Sequence, residues 1–515
     1  MTDLGRRIAR FTAVVAGATL LSRVLGFIRD LVVAFALGAG PLADAFFVAF
    51  RLPNLMRRLF AEGSLTMAFI PIFSRIRAEE GDERANSFAR SSLVWLLLAL
   101  GVLTVAVLAL AEPVVRVVAP GFAEHPELLR NTAHLVRICF PYVILICSVA
   151  LCMGILNAKD HFLAPALAPC ALNVALITAA LGGFLSGASV PVWMSWGVLA
   201  GGLFQWLMQQ PALHRRGFRW RGPWRFLDPG VWRMAKLMGP TVFGAAVYQV
   251  NILLGTLLAS FLPLGSISYL YYADRLVQFP LGVFGLAVST AALPSLAKLA
   301  AKGREEEFAS TLRIAIGLTL FISLPAAAGL LALSHPIIDL LFGRGAFTAE
   351  AVSGASAALA AYAAGLPFIA AVRPLVSSFY ALEDTKTPVM VAAGCMLLNI
   401  GLGALLMQFM AHVGLALGVS VSGAANALLL GWLLARRMGA APIRLRPLLL
   451  STALSLAVGA AAWASSLVPW LWIAAAPILA IAYLFTARAL RLEEALLVFE
   501  MFRRRAKAKK AAADG

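Results

Sequence analysis

The sequence predicts an all-α polytopic membrane protein, with 14 transmembrane helices arranged as two parallel-repeat six-helix bundles plus two C-terminal helices. Three observations carry that prediction. The 515 residues are 61% hydrophobic and 13% charged, with a mean hydropathy of +0.86, far too apolar for a soluble globular chain. Apolar stretches long enough to cross a bilayer start near residues 11, 44, 91, 131, 162, 190, 232, 266, 308, 351, 387, 413, 447 and 469. Finally, short motifs recur at one nearly constant offset across more than a hundred residues.

The first stretch, about Phe11 to Gly38, outruns a secretory h-region, has no small-residue cleavage site and carries three charges, so it is expected to remain as a span. Those charges lie in Leu21-Ser22-Arg23-Val24-Leu25-Gly26-Phe27-Ile28-Arg29-Asp30. An arginine near the bilayer centre costs about 3 kcal/mol or more, so it is expected to face a protein interior or a wet cavity. Arg23 and Asp30, seven apart, share a helical stripe, and Arg29 lies on a neighbouring face. Two readings stand: a substrate site, or a structural Arg-Asp pair that locks helix packing.

The second span is broken. Asp44, Arg51, Pro53, Asn54, Arg57, Arg58, Glu62 and Gly63 lead on to Pro71, a composition tolerated at membrane depth only against protein or water. Arg51, Asn54 and Arg58 fall on one face and Arg57 is turned away. Arg58 can snorkel to the cytoplasmic surface, which leaves Asn54 and Arg57 as cavity candidates. Asp44 and Glu62 flank this span, as gate partners for arginines or as a loop cap and a surface charge.

The repeat follows. Phe50-Arg51-Leu52 matches Asp274-Arg275-Leu276, Ile70-Pro71 matches Leu293-Pro294, and Phe122 matches Phe347. Phe140-Pro141 matches Leu366-Pro367, Pro165 matches Pro388, and Leu172-Asn173-Val174 matches Leu398-Asn399-Ile400, with all offsets between 223 and 226. An even number of spans per bundle makes the repeat parallel, and places the expected substrate site between the bundles. The expected parts are residues 1–225, 226–440, two extra helices in 441–490 that are passive or line a lipid groove, and a basic tail 491–515.

The second bundle adds Asp274, Arg275 and Arg373 within the apolar zone, after Tyr269, Tyr271 and Tyr272, which read as packing or interfacial aromatics or as a carbohydrate platform. Gln278 and Asn251 suit helix-helix hydrogen bonding. Arg23, Arg29, Arg57, Arg275 and Arg373 outnumber Asp30, Asp44, Glu62 and Asp274. Surplus guanidinium groups suit a phosphate or pyrophosphate, which they grip bidentately while staying charged; a cation exporter would need surplus carboxylates.

The net charge of +18 does not indicate nucleic acid. With a cytoplasmic N-terminus, about 32 of the 43 Lys and Arg fall on the cytoplasmic side, as the positive-inside rule requires. The clusters His214 to Lys236 and Arg503 to Lys510 are topogenic or face lipid headgroups. Cys139, Cys147, Cys152, Cys170 and Cys395 read as small core residues. His125, His134, His161, His214, His335 and His412 lack ligand spacing, and there is no Walker loop, HExxH or paired-Asp motif. No metal, cofactor or enzymatic activity is expected. The driving force is then the membrane potential, an ion gradient or substrate supply.

These stretches resemble the MurJ/MviN family of the MOP exporter superfamily. The resemblance rests on residues 21–30, Asp44-Ala45-Phe46-Phe47, Leu52-Pro53-Asn54-Leu55, Arg57 to Gly63 and Tyr271-Tyr272-Ala273-Asp274-Arg275-Leu276. Ala119-Pro120-Gly121-Phe122, Ile155-Leu156-Asn157-Ala158 and Lys386-Thr387-Pro388 extend it over most of residues 11–440. It implies a bacterial inner-membrane flippase for lipid II, the undecaprenyl-pyrophosphoryl disaccharide-pentapeptide, working by alternating access with the lipid tail along the last two helices. Arg23, Arg29, Arg57 and Arg275 correspond to the family's essential cavity arginines, Arg373 to a basic position, and Asp30 and Asp44 to important acids. Ser22 and Asn54 complete the candidate substrate site; Asp30, Asp44, Glu62 and Asp274 are the candidate gate or ion-pair acids. Gln278 stands where some members carry glutamate, and Gly255 and Gly403 stand, beside Asn399, where some carry an acidic sodium site. The resemblance therefore supports neither a carboxylate gate at 278 nor sodium coupling there.

Expected partners are lipid II, membrane lipids and cell-wall synthesis enzymes. The rival readings are an exporter of another polyprenyl-linked glycan, a MATE-like drug antiporter, a non-transporting scaffold or a membrane enzyme. The charge pattern predicts a definite topology, with both termini cytoplasmic. In a cysteine-free background, a cysteine placed at Gly187 is expected to react with an impermeant maleimide from outside, and one at Gly303 only after the membrane is opened. Reversed labelling overturns that topology.

Overall fold

The computed structural model describes residues 3–61, 64–282, 286–500 and 503. Within them the regular structure is entirely helical. The order is α1 (Asp3–Leu37), α2 (Pro41–Met56), α3 (Ser64–Glu80), α4 (Asp82–Ala109), α5 (Ala111–Val118), α6 (Pro126–Cys139), α7 (Tyr142–Ala158), α8 (Leu163–Leu185) and α9 (Val190–Arg215). It continues with α10 (Pro229–Ser260), α11 (Ser266–Pro280), α12 (Leu286–Ala301), α13 (Glu305–Ala332), α14 (Ser334–Phe342), α15 (Ala349–Ala381), α16 (Lys386–Met438), α17 (Leu445–Ser466) and α18 (Leu471–Ala489). Among the described residues nine helical stretches are long and apolar enough to cross a membrane. Each span start expected from the sequence lies inside one of the eighteen helices or within two residues of one.

The break expected after Asn54 takes the form of a π-helical turn, Arg57–Ala61, following Pro53 in α2. Proline removes one ladder donor, and the wider turn absorbs the resulting kink. Glu62 lies outside the described residues.

By contact the chain forms two compact units. The first comprises Met1–Ser268 with Phe342–Ala351, the second Tyr269–Leu341 with Val352–Gly515. In the first, Phe69 stacks on Phe73 and Phe88, and the core extends through Leu151, Ile155, Phe218 and Met234. The connector before α10 is strapped over α4. Buried Arg90 donates to the carbonyls of Arg219 (3.0 Å) and Pro223 (2.8 Å), and Gly222 passes so close that a Cβ there would lie 2.5 Å from the guanidinium. Asp228 caps α10 through Gly230 N (2.8 Å) and pairs with Arg84 (2.7 Å). The basic cluster of 214–236 is therefore an ordered strap whose Arg219, Arg221 and Arg225 remain exposed. The compact unit takes in α10, beyond the boundary expected after residue 225, because these bonds and the one from Gly121 N to Ser260 Oγ (3.0 Å) fasten it there.

In the second unit, Leu312, Ile316, Leu375, Phe379 and Leu430 form the core. The last two helices pack on α13: Tyr483 Oη donates to the Phe321 carbonyl at 2.9 Å, and Gly459 sits against Ala328. Asp384 accepts from Thr387 N (3.0 Å) and Oγ1 (2.8 Å) at the start of α16, with Arg437 at 3.3 Å. The Thr387 amide and hydroxyl hold that carboxyl below the usual carboxylate range. Helix α16 breaks at Ala411 (φ 46°, ψ −130°), and its two arms fold back on one another. A Cβ on Gly414 would lie 2.4 Å from the Leu406 carbonyl oxygen, and one on Gly418 would lie 3.1 Å from Gly403 N. Small residues allow this backbone-to-backbone approach.

The contact separates two substitutions of the same kind. Gly414→Ala must push the arms apart and is expected to lower the thermal midpoint by several degrees, the response to about 1–3 kcal/mol of overpacking. Gly394→Ala, on the same helix with nothing within 4 Å, is expected to leave it unchanged or raise it through helix propensity. Equal midpoints for the two variants would overturn the close-packed hairpin.

Candidate functional site

In the first unit the charged stretch of α1 is organised by Arg29. Its Nε (3.1 Å) and Nη2 (2.7 Å) both reach Oδ1 of Asp30, and its Nη1 donates to Asn173 Oδ1 on α8 at 3.0 Å. Asn173 in turn donates from Nδ2 to the Ser22 carbonyl at 3.1 Å. Gly26 makes room: a Cβ there would touch the Asn173 amide at 3.7 Å. Asp30 is buried, Arg29 and Ser22 are half-buried, and Arg23 is exposed. The Arg-Asp pair thus forms, but with Arg29 on the neighbouring face rather than with Arg23, which shares the stripe of Asp30. Side chains at i and i+1 leave a helix about 100° apart; the long arginine stem curls back to its neighbour while its outer nitrogen still reaches α8.

On the broken second helix, Arg57 donates from Nε to Asn54 Oδ1 at 2.9 Å. Arg51 reaches Thr256 Oγ1 of α10. Asp44, buried at the head of α2, accepts from Gly265 N (2.6 Å), Ser268 N (2.8 Å) and the Ser268 hydroxyl. Three donors around one carboxylate make it a cap for the first turn of α11, supplied from more than two hundred residues away in sequence. Nearby, Ala346 N donates to the Phe35 carbonyl at 2.9 Å. Gly38 has φ +70°, and a Cβ there would sit 2.3 Å from the Ala346 oxygen.

In the second unit, Arg275 donates from Nη2 to Tyr271 Oη at 3.2 Å, and its guanidinium lies 4.6 Å from that ring's centroid. Tyr271 is therefore an arginine partner, not only a packing aromatic. Gln278 Nε2 donates to Asp274 Oδ1 at 3.3 Å, one turn away. Arg373 is half-buried, with its carbonyl accepting from Ser289 Oγ at 3.4 Å. His412 bonds the Gly354 carbonyl at 2.9 Å and meets Tyr269 edge-on.

Ser22, Arg29, Asp30 and Asn173 are thus one cluster; Asn54 and Arg57 are a second; Asp44 stands with α11, and Arg275 with Tyr271. The sequence marked Asn173 only as a repeat match, and placed Arg51 on a face with Asn54 and Arg58 without assigning it to the substrate site. One usable signal was present for Asn173, a lone amide side chain in an otherwise apolar helix. Among the described residues no three metal-ligating side chains converge, and the five cysteines are unpaired thiols.

Apolar helices carrying guanidinium groups, with Arg29, Arg51, Arg57 and Arg275 each bonded to a side-chain oxygen, define a multi-pass membrane protein with polar sites inside its helical units. Comparison with known proteins makes the class specific. A family model described as lipid II flippase MurJ matches residues 33–482. Relatives described as probable lipid II flippase MurJ are 40% identical in Rhizobium meliloti (81% of this chain, 79% of the relative) and 39% in Vibrio cholerae (83% of each). A solved lipid II flippase MurJ in an inward closed conformation superposes with a TM-score of 0.80 at 27% identity, covering 93% of this chain and 98% of that one. A MATE-family multidrug transporter of the MOP superfamily, at TM-score 0.66 and 14% identity over 83% of this chain and 98% of that one, shares the fold alone. The chain belongs to the MurJ family, and is a transporter of bacterial membranes rather than an enzyme.

The Asp44 cap yields a test. Asp44→Ala strips three donors of their acceptor and is expected to destabilise the turn by about 1–3 kcal/mol, seen as faster hydrogen exchange across residues 262–270. Asp44→Asn keeps one acceptor oxygen and is expected to recover part of the protection. Unchanged exchange in Asp44→Ala would remove the cap assignment.

Proposed function

We propose that this chain carries lipid II from the cytoplasmic to the outer leaflet of the bacterial inner membrane by alternating access. The observation that carries the reading is the family match over residues 33–482, which takes in Asp44, Asn54, Arg57, Asp274, Arg275 and Arg373. We further propose fourteen spans, two related six-helix bundles followed by two extra helices, with both termini cytoplasmic. The coincidence of the expected span starts with observed helices supports this.

In the proposed mechanism Arg23, Arg29, Arg57 and Arg275 bind the pyrophosphate, assisted by Arg373, Asn54 and Ser22. A guanidinium cannot shed its charge, so without substrate it needs a substitute anion or dipole. Asp30 and Asn173 serve Arg29 in that way, Asn54 serves Arg57 and Tyr271 serves Arg275. At Arg29, Arg57 and Arg275, pyrophosphate oxygens then exchange with acceptors already in place. Asn54 and Tyr271 are neutral and easily displaced, whereas the Asp30 carboxylate competes with the substrate and assists its release. Asp44 and Asp274 act as gate or ion-pair acids. The membrane potential is the proposed driving force, worth about 2.3 kcal/mol per charge moved through 100 mV. The basic excess favours a lipid pyrophosphate over a cationic drug.

The test is headgroup accessibility of lipid II in cells depleted of this protein and rescued by variants. Wild type is expected to clear precursor from the cytoplasmic leaflet. Arg23→Ala and Arg275→Ala are expected to insert normally yet flip at least about ten-fold more slowly, the loss of one charge-assisted contact. Wild-type-like flipping by both variants would sink the site. No accumulation on depletion would sink the function.

A further inference from the structure

The second unit contains a recess that involves none of the residues of the proposed substrate site. The middle of α13, the start of α17 and the segment following α18 line a recess of about 470 Å³ that opens onto the surroundings of the protein. Its polar lining is Arg313, Arg444, Ser451, Glu493 and Glu494. The α17 wall and the segment after α18 lie at helix ends, where an apolar span gives way to the headgroup zone of a bilayer, and the α13 wall runs from there towards the middle of its helix.

Glu494 is the telling residue. It is only 9% exposed, and its Oε1 lies where a Cβ on Gly317 would be 2.6 Å away, so the bare glycine is what admits the carboxylate. Its Oε2 is buried and makes no hydrogen bond among the described residues. Buried acceptors are nearly always satisfied, and a carboxylate is the most expensive to leave otherwise. Opposite charges are present in the same recess. Arg444 pairs with Glu493, while Arg313 spends its Nε on the Ala441 carbonyl at 2.9 Å, leaving its two terminal nitrogens for the recess.

The occupant can be read from this inventory. Two guanidinium groups face two carboxylates, so the recess is neutral and suits neither a simple anion nor a simple cation. An acceptor wanting a donor beside a fork of donors matches a zwitterion, with ammonium at Glu494 and phosphate at Arg313. Ile314, Leu448 and Leu497 line the remainder with apolar surface, which a soluble zwitterion would leave uncovered and an acyl chain would cover. We propose that this recess holds a phospholipid with a primary-ammonium headgroup, Glu494 accepting from the ammonium and Arg313 donating to the phosphate, as a resident lipid fastening the last two helices to α13. This lipid is distinct from the transported substrate.

The test uses delipidated full-length protein in detergent, titrated with phosphatidylethanolamine, phosphatidylcholine or phosphatidylglycerol of identical chains, with bound lipid resolved by native mass spectrometry. Wild type is expected to retain phosphatidylethanolamine about ten-fold better than phosphatidylcholine, whose trimethylated nitrogen has no N–H to give Glu494. Phosphatidylglycerol is expected to bind no better than phosphatidylcholine. Glu494→Gln is expected to abolish the preference, and Arg313→Gln to weaken both phosphatidylethanolamine and phosphatidylcholine. Equal retention of these two lipids by wild type overturns the proposal, as does a preference that survives in Glu494→Gln. The wild-type comparison needs no variant to fold. Glycerophosphoethanolamine, the headgroup without chains, is expected not to displace the lipid at equal concentration; displacement would assign the recess to a soluble zwitterion.

Discussion

A guanidinium group keeps its charge at any depth, so each arginine carried into an apolar helix obliges the fold to bring oxygen to it. That obligation sets much of the helix packing within the first unit. Arg29 draws α8 onto α1 through Asn173, which also ties back to the Ser22 carbonyl, and Gly26 exists at the point of approach. Arg51 draws α10 onto α2 through Thr256. In lipid no water can stand in for a missing partner, so these few polar contacts specify register where apolar side chains, surrounded by equally apolar tails, specify little.

Much of this was legible in the sequence, and what was not has physical reasons. Helix positions followed from hydropathy, because a bilayer admits few alternatives. The break after Asn54 followed from Pro53 and its charges. The choice of Arg29 over Arg23 as Asp30's partner did not, since stripe arithmetic locates Cα atoms and not the ends of long, flexible stems. Asn173 was hidden for a different reason: a single amide has no spacing to betray it. Asp44 suggested a cap or a gate, but its donors at Gly265 and Ser268 are separated from it by 221 and 224 residues, beyond the reach of any local rule. Glu494 falls in a stretch read only as basic tail, and its burial depends on Gly317, nearly two hundred residues away in sequence.

The boundary expected from the sequence offsets and the boundary of the compact units fall at different places. The internal offset places a boundary after residue 225, whereas contacts carry the first unit on to Ser268. The bonds of Arg84 to Asp228 and of Arg90 across the strap explain the difference.

The single-residue break at Ala411 bears on how the protein is made. Its two apolar arms are joined by a chain reversal with no hydrophilic segment between them, so a ribosome delivers both to the insertion machinery as one uninterrupted greasy stretch. Such a stretch has no natural pause at which the leading arm could settle alone, and the glycines that let the arms touch favour folding back as soon as both have emerged. The hairpin, rather than the individual helix, is then the unit of biogenesis in this part of the chain.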